Sequence, residues 1–330
     1  MDVLTESKTP TTEPAIAWPT TSIPTRGVVY VATGKRFVDE ARQAASVLRR
    51  TNPKLAICLV TNEPSGEPFW DELVIVKNPY FGFRDKVFMG LCPFERFFFL
   101  DTDTHVVGDL TEVFDLLDHF DFAGHQLFEG HDCTPPGIPD SFPEFNTGVL
   151  LFRRTPALAG FFETWKANYD AYHALNRDGH YDYSNVSDQK SFRKTVYESK
   201  IRMAVLGPEY NFVPHHLNFA CAPVSIIHGR GQKTIEELDR RLNAKYGNRV
   251  YVPRLDTVIS NDTPPGELWQ LWRMASLQLI RVIGVRIVPM GLRNWLRRSA
   301  VVRHLFLRGR FGNMELDRDK KWQRTPTQPS

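Results

Sequence analysis

Residues 97–110 read FFFLDTDTHVVGDL. Phe97, Phe98, Phe99 and Leu100 form a run suited to a core, and Asp101 and Asp103 stand at its exit. Two bare carboxylates so close repel each other, and each is costly to desolvate. The pattern asks for something positive between them. A metal ion, a lysine and plain water all remain open at this point.

The surrounding rhythm gives the fold class. GVVYVAT (27–33) is apolar and β-branched, as a fully buried strand should be. Gly34 punctuates it, and 37–50 places Phe37, Ala41, Ala44, Ala45 and Leu48 at helical spacing before Asn52-Pro53 stops the helix. Strands are predicted at 55–61, 73–78 and 96–103, with a short helix at 87–94. Next come a helix at 110–117, a strand at 120–126, a Pro-rich loop at 131–145 and a strand at 146–154. An amphipathic helix is predicted at 156–172, and another at 187–197 with Ser187 as N-cap. Strand candidates follow at 203–212 and 222–229. This alternation implies an α/β fold around a parallel sheet of βαβ units. Ligands gather at the carboxyl ends of such strands. If Asp101 and Asp103 lie on a strand end, positions i and i+2 point the same way and can face one site.

Composition narrows the class of function. The 330 residues carry 41 Lys+Arg against 38 Asp+Glu, a net charge of +3 that gives no global nucleic-acid footprint. A hydrophobic fraction of 42% suits a soluble globular protein. Cysteines 58, 92, 133 and 221 form no CxxC pair, which argues against a zinc knot or disulfide framework and for free thiols in a reducing compartment. Residues 1–26 read as a disordered leader without the apolar stretch of a signal peptide. No apolar run approaches the roughly 18 residues of a membrane span, so the expected location is cytoplasmic.

Residues 266–311 differ from the rest. They hold nine arginines and one acid, Glu267, a net +8, so the remainder of the chain is acidic. Arginines and tryptophans on amphipathic helices suit peripheral attachment to an anionic membrane surface. The plainer alternative is that their apolar faces pack on the main domain or on a second copy of the chain. The expected organisation is a leader at 1–26, a catalytic domain at 27–262, a basic helical extension at 263–311 and a disordered tail at 312–330.

Two aspartates at i and i+2 suit a divalent cation that prefers oxygen ligands, Mn²⁺ or Mg²⁺. The same pair can merely cap a turn, but the apolar strand before it favours a site. With FFFLDTDTHVVGDL, the stretches EFNTGVLLFRR, SDQKSF, EYNFVP and IIHGRGQK follow in order. In this order they resemble GT-A glycosyltransferases, and within them the retaining, glycogenin and galactosyltransferase-like (family 8-like) group. The resemblance covers about residues 27–233. It implies a Rossmann-like GT-A fold with a mixed central sheet and a metal-dependent transferase. The donor would be a nucleotide-diphosphate sugar, with UDP-sugar favoured over GDP-sugar, and the acceptor a glycan, a lipid-linked sugar or a protein.

The resemblance also implies roles. Asp101 and Asp103 would be the DxD metal ligands, Asp103 also lying near the donor ribose, and His228 would complete the metal site. Gly231 and Lys233 would hold the diphosphate. Lys233 stands one place early for the family's H-x-x-G-x-x-K, which makes Arg230 an alternative phosphate cation. Asn146, Thr147 and Gly148 would lie along the donor sugar. Asp188 and Gln189 would flank the anomeric carbon as the catalytic pair. Ala32 and Thr33 would cradle the base and ribose, and Lys86 would sit near the phosphates. Retention is expected through same-face attack, because no carboxylate compels a covalent route. Three other readings compete: a haloacid-dehalogenase-type phosphatase, a sugar nucleotidyltransferase with ATGKRF (32–37) as its loop, and a non-catalytic nucleotide-sugar-binding relative.

Overall fold

A computed structural model describes residues 26–63, 69–127, 137–177, 187–230, 235–244 and 247–266, with 268, 269, 272, 273 and 276. The chain divides into two compact units, Met1–Asp262 and Thr263–Ser330.

The first unit is built on a mixed seven-stranded sheet. Its strands are β1 (Arg26–Ala32), β2 (Ala56–Thr61), β3 (Glu72–Ile75), β4 (Arg96–Leu100), β6 (Phe122–Gln126), β7 (Phe145–Arg153) and β8 (Met203–Leu206), in the order β3-β2-β1-β4-β7-β6-β8. Strands β3, β2, β1 and β4 are parallel, as the βαβ rhythm predicts. Strand β7 runs antiparallel to both β4 and β6, which makes the sheet mixed.

Both faces of the central strands β1, β2, β4 and β7 are covered, which is why those strands read as unbroken apolar runs. The side chains of Phe98 and Leu100 join one layer with Val28 and Tyr30 beneath α1 (Lys35–Thr51). Those of Phe97 and Phe99 join the other, with Phe152 and with Phe162 and Trp165 of α2 (Pro156–Arg177) and Phe192 of α3 (Gln189–Glu198). In that second layer Trp165 meets Phe192 edge-on, with centroids 4.7 Å apart. The alternation within FFFL therefore fixes β4 in the middle of a three-layer stack.

Several boundaries differ from the sequence-based expectation. Strand β4 stops at Leu100, so Asp101 and Asp103 lie in a turn beyond it rather than on the strand. Their common orientation comes from that turn, where Thr104 donates to the Asp101 carbonyl from its backbone nitrogen (3.1 Å) and its hydroxyl (2.7 Å). The segments expected to be helices at 87–94 and 110–117 are 3-10 turns, Phe83–Leu91 and Glu112–Asp118. Phe37 is exposed on α1, whose buried face is Val38, Ala41, Ala44, Ala45 and Leu48. The N-cap of α3 is Asp188, not Ser187, although the Ser187 hydroxyl still accepts from the Gln189 nitrogen at 3.1 Å. Within 203–212 only β8 is a strand, and within 222–229 only β10 (Ile226–His228).

Sequence reading missed a small second layer. Strands β9 (Asn218–Ala220), β11 (Arg249–Val252) and β12 (Thr257–Ser260) form a three-stranded antiparallel sheet. With α4 (Ile235–Asn243) they enclose a separate core of Phe212, Ile227, Leu238 and Tyr251. This layer presents β10 to β5 (Thr104–Val106) as an antiparallel pair that sets His228 opposite Thr104.

In the second unit, Trp269 and Trp272 stack with centroids 4.9 Å apart. Among the described residues no helix is long and apolar enough to cross a membrane. The leader, most of the 131–145 loop's first half, Cys133 and nearly all of 266–311 lie outside the described residues.

Candidate active site

The turn after β4, the end of β10 and the middle of β7 converge on one point. Ligand-type atoms of Asp101, Asp103 and His228 all lie within 4.8 Å of one another. His228 Nε2 is 3.4 Å from an Asp103 oxygen and 3.8 Å from an Asp101 oxygen. Its other ring nitrogen, Nδ1, faces Oδ1 of Asn211 at 2.9 Å. An amide oxygen only accepts, so Nδ1 donates to it, and Nε2 is the ring nitrogen that faces the two aspartates. Two carboxylates and one imidazole make a donor set that fits Mn²⁺, and an outer hydrogen bond on the imidazole is the usual support for such a ligand.

Gly148 keeps this point open. A Cβ there would overlap His228 Cε1 and stand 2.8 Å from Asp101 Oδ2. Its carbonyl accepts from the Asp101 nitrogen at 2.8 Å, and its own nitrogen donates to Asn146 Oδ1 at 2.9 Å. The segment 146–148 is thus fastened to the DxD turn.

Lys86 approaches from the Phe83–Leu91 turn, its side chain largely buried. Its Nζ lies 2.9 Å from Asp101 Oδ2 and 3.5 Å from Asp188 Oδ2, and donates to the Thr147 hydroxyl and carbonyl at 3.3 Å. Burial pushes the lysine pKa down, but Asp101 and Asp188 more than offset it and hold the ammonium charged. Burial also pushes Asp101 up, against the pull of Lys86 and His228. Asp103 feels burial too, yet its hydrogen bond to His228 and the charges of His228 and Arg230 bring it down to about 2.

Asp188, only 3% exposed, makes no side-chain capping bond to α3 and turns its carboxylate to Lys86 instead. An aspartate at a helix N-cap commonly bonds the first turn through its side chain, and this one does not. Gln189 begins α3 beside it, half-buried. Ala32 ends β1 with its methyl in the core, so only its backbone is offered to the site. The Thr33 hydroxyl donates to buried Asp85 at 2.7 Å. Asp85 also accepts from the nitrogens of Tyr80 and Phe81, which ties the turn carrying Lys86 to the end of β1. Gly231 and Lys233 lie outside the described residues.

Three contributors escaped the sequence reading: Asn211 behind His228, Asp85 behind Thr33, and Glu40 of α1. Glu40 accepts from the hydroxyl of Thr102, the middle residue of the DxD turn. Asn211 does fall in EYNFVP, one of the stretches that carried the resemblance.

No protein-family model and no curated protein matches the sequence. Among solved structures the chain is similar to the galactosyltransferase LgtC, solved with donor and acceptor sugar analogues. That match has 14% identity, covers 66% of this chain and 95% of that one, and has a TM-score of 0.45. The chain is also similar to the glycosyltransferase GlyE of Streptococcus pneumoniae TIGR4, at 19% identity, 67% and 61% coverage and a TM-score of 0.41. Mouse xyloside xylosyltransferase 1 matches at 18% identity, 64% and 99% coverage and a TM-score of 0.42.

Proposed function

We propose that this chain is a metal-dependent GT-A glycosyltransferase that moves a sugar from a nucleotide-diphosphate donor, favoured to be a UDP-sugar, with retention of anomeric configuration. The observation that carries this reading is the convergence of Asp101, Asp103 and His228 at the carboxyl end of β4, beside a charged Lys86. Asp101, Asp103 and His228 would hold the ion, which neutralises charge growing on the departing diphosphate.

The chain's own residues account for the rest. Lys86 adds a fixed positive charge where the leaving group develops its negative charge, in a largely buried setting where that charge counts most. Asn146, Thr147 and Gly148, at the start of β7 beside the two aspartates, would lie along the donor sugar. Asp188 and Gln189 face the anomeric carbon, Asp188 by binding sugar hydroxyls and Gln189 by supporting oxocarbenium character. Asp188 is engaged by Lys86, which suits a binding role better than that of a covalent nucleophile. Attack then comes from the leaving-group face, with a phosphate oxygen taking the acceptor's proton. The acceptor is a glycan, lipid-linked sugar or protein hydroxyl, and the basic 266–311 segment is proposed to favour one at an anionic membrane surface.

The test is calorimetric titration of UDP into metal-stripped protein, with and without Mn²⁺, for wild type and Asp103→Ala. Binding that requires Mn²⁺ and vanishes in the variant supports the assignment. Binding indifferent to both, or none at all, removes it.

A further inference from the structure

Arg230, half exposed, is held from several sides. Its Nε and Nη2 donate to the two oxygens of Glu40 at 2.8 and 2.9 Å, a bidentate fork. Its backbone is pinned on both sides. The nitrogen of Gly229 donates to the Asp103 carbonyl at 3.0 Å, and His215 Nε2 lies 3.1 Å from the Arg230 carbonyl. Glu40 is fastened in turn by the hydroxyl of Thr102. One carboxylate on α1 therefore ties the DxD turn to the residue two places beyond His228. With Nε and Nη2 occupied, the remaining edge of the guanidinium, Nη1, is turned to Asp103 Oδ2 at 3.5 Å.

We infer that Glu40 is a positioning residue for Arg230, and that Arg230 is the guanidinium that binds the diphosphate of the donor. This rests on the proposed function above and adds to it the cation and the carboxylate that aims it. A diphosphate bound through an ion at Asp101, Asp103 and His228 would come close to Asp103, next to the guanidinium edge that Glu40 leaves over. A guanidinium gripped on two nitrogens loses little further freedom when the third meets a phosphate oxygen. Thr102 makes the arrangement responsive to the DxD turn, because the same carboxylate bonds both.

The test compares UDP with UMP, with Mn²⁺ saturating, by calorimetry on full-length wild type, Glu40→Gln, Arg230→Ala and the double variant. Losing one charge-assisted contact to the diphosphate should weaken UDP about tenfold in each single variant. The double variant should lose no more than Arg230→Ala alone, because Glu40 acts through Arg230. UMP, which lacks the second phosphate, should change less than about twofold, and Mn²⁺ alone should bind as in wild type. Arg230→Lys should recover part of the affinity when Glu40 is present and none when it is Gln. Unchanged or tighter UDP binding in Glu40→Gln overturns the inference, since Glu40 would then be a bystander or a competitor for the guanidinium. Additive losses, or an equal loss of UMP, overturn it as well. A wild type that binds no UDP with Mn²⁺ overturns the reading of the site and this inference together.

Discussion

Asn211 Oδ1 stands 2.9 Å from Nδ1 of His228, on the side of the ring away from Asp101 and Asp103. The amide is fully buried and comes from the segment that follows the 3-10 turn Pro208–Tyr210. It accepts from Nδ1 and holds the ring plane. Asn211→Ala should therefore weaken Mn²⁺ binding roughly 10–100-fold, as losses of outer-shell partners do. Asn211→Asp, which still accepts from Nδ1, should retain most of the affinity. Mn²⁺ titration of the two variants followed by calorimetry checks this; equal losses in both would mean that packing, not the hydrogen bond, matters.

Gly148 is the second sensitive position. Its β carbon would overlap the His228 ring and crowd Asp101. The ring cannot retreat without giving up Asn211. Gly148→Ala should lose Mn²⁺ binding and cost about 1–3 kcal/mol of stability, the range of an overpacked interior. Chemical denaturation beside metal titration checks both parts. By contrast, Gly160 of α2 has nothing near its missing Cβ, so Gly160→Ala should be neutral or stabilising by up to about 1 kcal/mol.

What was legible in the sequence was whatever depends on strands buried on both faces. FFFL, GVVYVA and GVLLF are apolar without interruption because a layer lies above and below, and no other element type explains them as well. What was not legible depends on three-residue strands and on side chains meeting across the chain. Strands β5 and β10 pair through only three residues each, too few for a periodic signal, yet their register puts His228 beside Asp101 and Asp103. Strands β9, β11 and β12 mix exposed Phe219 and Val250 with buried Tyr251, so neither alternation nor composition marks them clearly. Nothing near Glu40 in the sequence marks it, since its partners stand 62 and 190 residues away.

Away from the site, Asp121 ties the far end of the sheet together. It accepts from Arg153 at 2.9 Å and from Arg202 at 3.1 Å, and its own backbone joins β7 and the start of β8. The Arg202 hydrogen bond leads in bringing its pKa down to about 2, against the opposing effect of burial. In the unfolded chain an aspartate titrates near 3.9. The folded state therefore binds fewer protons, so the contribution is complete above about pH 4 and is lost as pH falls through about 2. Asp121→Asn should cost about 2 kcal/mol at neutral pH, the scale of hydrogen bonds to a charged group, and flatten the stability profile below pH 4. Denaturant melts at pH 7, 4 and 2.5 check the sign; an undiminished acid loss in the variant would assign that loss to other carboxylates.

Lys86 is the final case, because it separates the electrostatics of the empty fold from those of catalysis. Without it, Asp101 and Asp188 lose the ammonium that stands 2.9 and 3.5 Å away, and Asp188 is almost fully buried. Lys86→Met keeps the stem's volume among Phe83 and Phe99 but removes the charge. Breaking a buried pair from one side typically costs about 3–5 kcal/mol, and the partial exposure of Asp101 places this one at the lower end. A divalent ion held by Asp101, Asp103 and His228 would also supply positive charge to Asp101. Mn²⁺ should therefore raise the melting temperature of Lys86→Met by more than it raises that of wild type. Asp188 gains nothing directly from the ion, so the recovery should be incomplete, and Asp188→Asn in the same background should recover part of the remainder. Thermal melts of the three proteins with and without Mn²⁺ decide it. An equal metal-induced shift in wild type and Lys86→Met would mean that Lys86 and the ion do not share Asp101.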